Sequence, residues 1–146
     1  MGKRTHSLCM TAPKIRDYRD LLVWQKAMEL ALLCDDICDV LDGRLTHVAA
    51  QIRRAANSVH ANIAEGNGRF SRPDYLRHLA VANGSLRELE SHLHYLRHKR
   101  AGIAKVEEAL GLCVTVVKLL AGLVRALQGR KAGAGKSLPN SPSPNP

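Results

Sequence analysis

Residues 46–102, THVAAQIRRAANSVHANIAEGNGRFSRPDYLRHLAVANGSLRELESHLHYLRHKRAG, decide the fold. Val48, Ile52, Ala55, Val59 and Ile63 recur at steps of three or four residues, the period that puts apolar side chains on one face of a helix. The run is expected to end at Glu65, where Gly66-Asn67-Gly68 supplies breakers. A second helix then opens at Ser71-Arg72-Pro73-Asp74. Ser71 is placed to cap, Pro73 needs no amide donor there, and Asp74 sits at the positive helix end. It carries Leu76, Leu79, Leu86, Leu89, Leu93 and Leu96 to a stop near Gly102. With so short a link the two must run antiparallel.

The same period extends outward on both sides. A helix over residues 18–42 has its stripe at Val23, Ala27, Leu30, Cys34, Ile37 and Leu41, with Gly43 as its stop. Another over residues 104–128 has Val106, Leu110, Cys113, Val117, Leu120, Val124 and Leu127. Concentrated β-branched alternation is absent, so the expected class is all-α, an antiparallel up-down four-helix bundle. The fourth helix bears a second apolar row, Leu112, Val116, Leu119 and Leu123, and the first adds Leu22, Leu32, Leu33 and Val40. Doubled rows of this kind predict self-association, with the row on the fourth helix as oligomer interface.

A chain of 146 residues with 45% apolar and 24% charged residues fits one folded domain. Residues 18–128 are expected to form it, flanked by a flexible basic arm (1–17) and a disordered Pro/Ser-rich basic tail (129–146). Translation starts at either Met1 or Met10. The N-terminal residues lack an apolar leader core and no unbroken run of about 18 apolar residues occurs, so the sequence predicts a cytoplasmic protein without a membrane partner. Cys9, Cys34, Cys38 and Cys113 form no Cys-x-x-Cys pair and read as reduced thiols, those in the helices buried.

The formal net charge is +9, and much of the excess lies in the flanks. Within the bundle, residues 18–42 hold two bases and six acids, whereas residues 44–78 hold six bases and two acids. Arg53, Arg54, Arg69, Arg72 and Arg77 are expected to form a basic patch near one bundle end, and Arg97, Lys99, Arg100 and Lys105 a second patch at the other. Both suit a polyanion, RNA or DNA, bound without sequence preference. Only five aromatic residues, Tyr18, Trp24, Phe70, Tyr75 and Tyr95, are present, so phosphate contact should dominate over base stacking.

Gln51, Ser58, Asn62 and Glu65 form a polar row on the second helix, and Ser85, Glu88, His92 and Tyr95 an answering row on the third. Their expected role is a structural hydrogen-bond network that fixes register. Two carboxylates without a nucleophile, base and orienting partner do not constitute a catalytic set, so no catalytic residue and no enzymatic activity are expected. The Glu-x-x-His motif of di-iron bundles is missing, and basic neighbours crowd Glu90, His94 and His98. No metal and no cofactor are therefore predicted.

Three segments carry a family resemblance: Asp20-Leu21-Leu22-Val23-Trp24-Gln25-Lys26-Ala27; Gln51-Ile52-Arg53-Arg54-Ala55 with Ser58 and Asn62-Ile63-Ala64-Glu65-Gly66-Asn67-Gly68-Arg69; and Gly84-Ser85-Leu86-Arg87-Glu88-Leu89. They resemble the bacterial four-helix-bundle family of rRNA intervening-sequence proteins, which includes the accessory variability determinant of diversity-generating retroelements. The resemblance implies a homo-oligomer, a homopentamer in the retroelement branch, that binds nucleic acid and partners a reverse transcriptase without being the catalyst. The alternative it leaves open is a structural or protein-interaction bundle of the intervening-sequence type with no retroelement role.

Overall fold

The computed structural model describes residues 16–101 and 103–129. Most of the expected arm, the tail from residue 130, and Cys9 lie outside the described residues. A 3-10 turn at Tyr18–Asp20 leads into α1 (Leu22–Asp39), and a second at Gly43–Leu45 leads into α2 (Thr46–Asn67). These are followed by α3 (Arg72–His98) and α4 (Ile103–Gly129). Each helix packs on its sequence neighbours and α1 closes on α4, the up-down bundle the periodicity predicts.

Local chemistry sets the boundaries. Ser71 accepts the Asp74 amide at 3.2 Å to cap α3, and Asp17 and Asp20 form a capping box around the first 3-10 turn. Three boundaries differ from expectation. α1 stops at Asp39, because Asp42 accepts the Arg44 amide at 3.1 Å and starts the second 3-10 turn, so Gly43 begins a new element instead of ending the old one. α2 continues through Gly66 to Asn67. Gly66 is there for space: a Cβ would lie 2.7 Å from Tyr75 Cδ2 and 2.9 Å from His78 Cβ. After α3, Arg100 adopts a left-handed φ of 54° and the Ala101 amide reaches back to the Leu96 carbonyl at 3.1 Å, a Schellman-type close.

The core follows the expected stripes of the first three helices, with Leu30, Ile37, Ile52, Val59, Ile63, Leu79, Leu86, Leu89, Leu93 and Leu96 closed to solvent. The fourth requires a correction. Val116, assigned from its spacing to the oligomer interface, is 0% exposed and belongs to the core with Val106, Ala109, Cys113 and Leu120. Leu112, Leu119 and Leu123 are only half-buried and pack on the core edge. α4 is apolar around most of its circumference, so two adjacent stripes satisfy the same period, and packing between α1 and α3 chooses one lying between them.

Two consequences remain at the surface. Leu32 on α1 and Val40, just past its end, are 62% and 69% exposed. The segment Ala104–Gly129 is long and apolar enough, by length and composition, to cross a membrane, yet only 22% of its apolar stretch is buried in the bundle. The run is not unbroken, since Gly111, Thr115, Lys118 and Gly122 interrupt it, but they lower its mean hydropathy little.

Candidate nucleic-acid interface

Three of the predicted polar residues meet directly between α2 and α3. Ser58 Oγ and Ser85 Oγ are 2.7 Å apart, and Asn62 Nδ2 donates to the Ser58 carbonyl at 2.9 Å and to Ser58 Oγ at 3.1 Å. The row continues through His78, which the spacing had not singled out. Its Nδ1 lies 3.1 Å from Asn62 Oδ1, and Arg69 Nε donates to its Nε2 at 3.1 Å. Since Arg69 can only donate, Nε2 accepts and Nδ1 carries the proton, so the donors run in one direction from Arg69 through His78 and Asn62 to Ser58, whose hydroxyl shares a hydrogen bond with Ser85 in either direction. His78 stands seven residues before Ser85, one heptad up the same row; that was the available signal.

The remaining seam residues are tied by arginines. Arg54 donates to Gln51 Oε1 at 2.7 Å and to Glu88 Oε1 at 3.0 Å, with His92 3.8 Å from the same carboxylate. Glu65 accepts from Arg69 and faces His78 at 3.7 Å. Both carboxylates are therefore engaged by cationic or imidazole groups, and neither faces a nucleophile.

The basic residues are arranged differently from the expected patches. Arg53 and Arg54 lie about 20 Å along the α2 axis, at 1.5 Å per residue, from its last residue Asn67, and Arg69 stands beyond that end, so the five arginines do not share a bundle end. Arg53 donates to Asp35 at 2.8 Å and also reaches Asp39, joining α2 to α1, and that hydrogen bond raises its already high pKa. Arg77 pairs with Asp74 at 2.6 Å, Arg97 with Glu107 at 3.8 Å and Lys105 with Asp36 at 2.9 Å. The Ser71 hydroxyl, then Arg77, hold the Asp74 carboxyl below the usual carboxylate range. The charge pattern offers Arg53 and Arg54 the acids of the first helix, Asp35, Asp36, Asp39 and Asp42, as partners instead of a polyanion; Arg53 takes Asp35 and Asp39, whereas Arg54 takes Glu88 of α3.

Among the described residues, Arg44, Arg72, Lys99, Arg100, Lys118 and Arg125 have no carboxylate within ion-pair distance. Arg44 and Lys99 meet at one corner of the bundle. They line a groove of ≈ 340 Å³ with Asp42, Leu45 and Tyr95. Tyr95 also borders an adjoining groove of ≈ 330 Å³ lined by His47, Val48, Gln51, Ser91 and His92. A larger, more apolar groove of ≈ 530 Å³ runs between α3 and α4 over Leu76, Leu79, Val117, Leu120 and Val124, with Arg87 and Arg125 at its rim.

Among the described residues no group of three or more metal-ligating side chains converges. Glu90 accepts from Arg87 at 2.8 Å, while His98 Nδ1 sits 2.7 Å from the His94 carbonyl. Cys34, Cys38 and Cys113 are buried free thiols; burial pushes the Cys34 thiol far up and the Cys113 thiol up to about 12. They behave as packing groups rather than nucleophiles.

Residues 19–122 match the sequence model of a family described as 23S rRNA-intervening sequence protein. No curated protein matches the chain. A crystal structure from Bacteroides thetaiotaomicron, of a protein with unknown function from the S23 ribosomal protein family, superposes with a TM-score of 0.66. It is 24% identical, and the match covers 71% of this chain and 99% of that one, a likeness of fold.

Proposed function

The chain belongs to the 23S rRNA-intervening sequence protein family, and from that premise we propose that it is a non-catalytic, homo-oligomeric accessory protein that binds nucleic acid without sequence preference. The observation that carries the reading is α4, an apolar helix with only 22% of its apolar stretch buried in its own bundle. A second copy covering that flank would bury it, and repeating the subunit would repeat its unpaired cations around the assembly. Several phosphates could then be neutralised together, although single subunits spend Arg53, Arg54, Arg69 and Arg77 on their own carboxylates. In a diversity-generating retroelement such a bundle, a homopentamer in that branch, would serve a reverse transcriptase. A neighbouring reverse-transcriptase gene with a variable repeat pair is the observation that assigns the branch.

Light scattering at micromolar concentration should give a multiple of the 16.0 kDa chain mass, with five as the expected number. Binding to RNA or DNA should weaken with salt at a slope of roughly −0.7 to −0.9 in log K per phosphate contacted. A monomer that ignores nucleic acid at low salt ends the proposal. The same ion pairs favour a second reading, an oligomeric protein-interaction bundle of the intervening-sequence type. It predicts the assembly without the salt-dependent binding.

A further inference from the structure

Along the α2–α3 side of the bundle most cations face a carboxylate; the exceptions are Arg72 at the start of α3 and one corner at the other end of that helix. There Arg44, from the 3-10 turn before α2, and Lys99, immediately after α3, line the same groove without an ion-pair partner among the described residues. Asp42 lies in the groove as well, and its Oδ1 accepts the Arg44 backbone amide. Tyr95 stands between the two adjoining grooves, 41% exposed, and its hydroxyl has no hydrogen-bond partner among the described residues. Lys99 Nζ rests over the ring, 5.6 Å from its centroid. His47, Gln51, Ser91 and His92 edge the other half.

Each half, ≈ 330 and ≈ 340 Å³, lies at the lower end of the range of small-molecule sites, enough for a nucleotide-sized unit. An exposed ring offers a stacking face for any base, and cations beside it offer phosphate contacts. Imidazole, amide and hydroxyl groups on the far side can donate to or accept from a base edge. We propose that this corner, centred on Tyr95 with Lys99 and Arg44, is the contact site for single-stranded nucleic acid, in which one base stacks on Tyr95 while its flanking phosphates meet Lys99 and Arg44. This rests on the nucleic-acid reading above and adds to it the strand state and the place. Lys99 lies over the ring in the free protein and turns to the phosphate when the base arrives. A duplex, with its bases stacked internally, cannot use the ring.

The test is fluorescence anisotropy of a labelled oligo(U) 12-mer and of a duplex of equal length at low salt, on the full chain. Tyr95→Ala changes no charge, so the salt slope should stay while affinity for the single strand falls about 5- to 150-fold, the worth of one stacked base. Tyr95→Phe should restore binding. Lys99→Ala with Arg44→Ala should flatten the slope by about 1.4, two single-strand phosphate contacts. Arg19→Ala with Lys26→Ala, two cations paired with Asp17 and Glu29 towards the opposite end of the bundle, is the charge-matched control and should leave the slope unchanged. Circular dichroism confirms that every variant is folded.

If the wild type binds and folded Tyr95→Ala binds within twofold of it, this corner is not the site and the nucleic-acid reading survives. If the wild type binds neither probe, both fall. Tyr95-dependent binding of a glutamate 12-mer in preference to oligo(U) would overturn the proposal in favour of an acidic peptide.

Discussion

The α2–α3 seam and the α4 flank bury surface by opposite means. Between α2 and α3 a directed chain of hydrogen bonds runs from Arg69 through His78 and Asn62 to Ser58, which shares a hydrogen bond with Ser85, above the closed leucines of the core. These donors and acceptors are matched across the two helices, so a slip by a residue would orphan several groups at once. On α4 the surface is Leu112, Leu119 and Leu123, half-buried and without directional partners. Polar pairing specifies register within a chain, whereas apolar area attracts cover and is tolerant of what provides it.

The largest expected effect lies on the flank. Leu119→Glu should reduce the assembly to the 16.0 kDa chain while circular dichroism still reports the helices, because the carboxylate reaches solvent in a lone subunit and is trapped at an interface. An unchanged assembly mass would mean that α4 is not the shared surface. Val116→Ala, by contrast, should cost each subunit roughly 2 kcal/mol of stability, for lost burial and a residual cavity, with the mass unchanged.

The seam is broken most sharply by Gly66→Ala. Its Cβ would press on Tyr75 and His78, and the overpacking should cost about 1–3 kcal/mol in urea denaturation. A neutral result would show that α3 can move away from α2 and that the close approach is not a constraint. Smaller, and more informative about the network, is the contrast between Asn62→Leu and Glu88→Leu. Asn62 joins Ser58 and His78 in a half-buried position, so its loss should cost about 1–2 kcal/mol. Glu88 holds an exposed arginine, and its loss should cost below about 1 kcal/mol. Equal costs would deny the directed chain its special role.

The effect smallest at neutral pH concerns the thiols of α1 and α4. Cys34 and Cys113 hold their protons in the folded state far above the unfolded pKa of about 8.5. The unfolded chain therefore releases protons first, and stability should fall as pH rises from about 8.5 towards about 12. At neutral pH these thiols should react with an alkylating reagent only at the rate of global opening, and rapid labelling of folded protein would show that α4 opens on its own.

Residues 46–102 made the helices, their antiparallel pairing and the polar row between them legible, because helix periodicity and capping depend on neighbours within a turn or two. His78 could have been added by carrying the same spacing one heptad further. Buried stripes on α2 and α3 were likewise readable, since each has a single apolar face to offer, and on α1 the buried face is the stripe of Val23, Ala27, Leu30, Cys34 and Ile37. What local pattern could not decide was which of two equivalent stripes α4 turns inward, and Val116 went to the core because α1 and α3 meet it there. Nor could it give Arg54 to Glu88 instead of the acids of the first helix, or bring Arg44 beside Lys99 and Tyr95. Those outcomes join residues far apart in the chain, and only the packing of whole helices sets their distances.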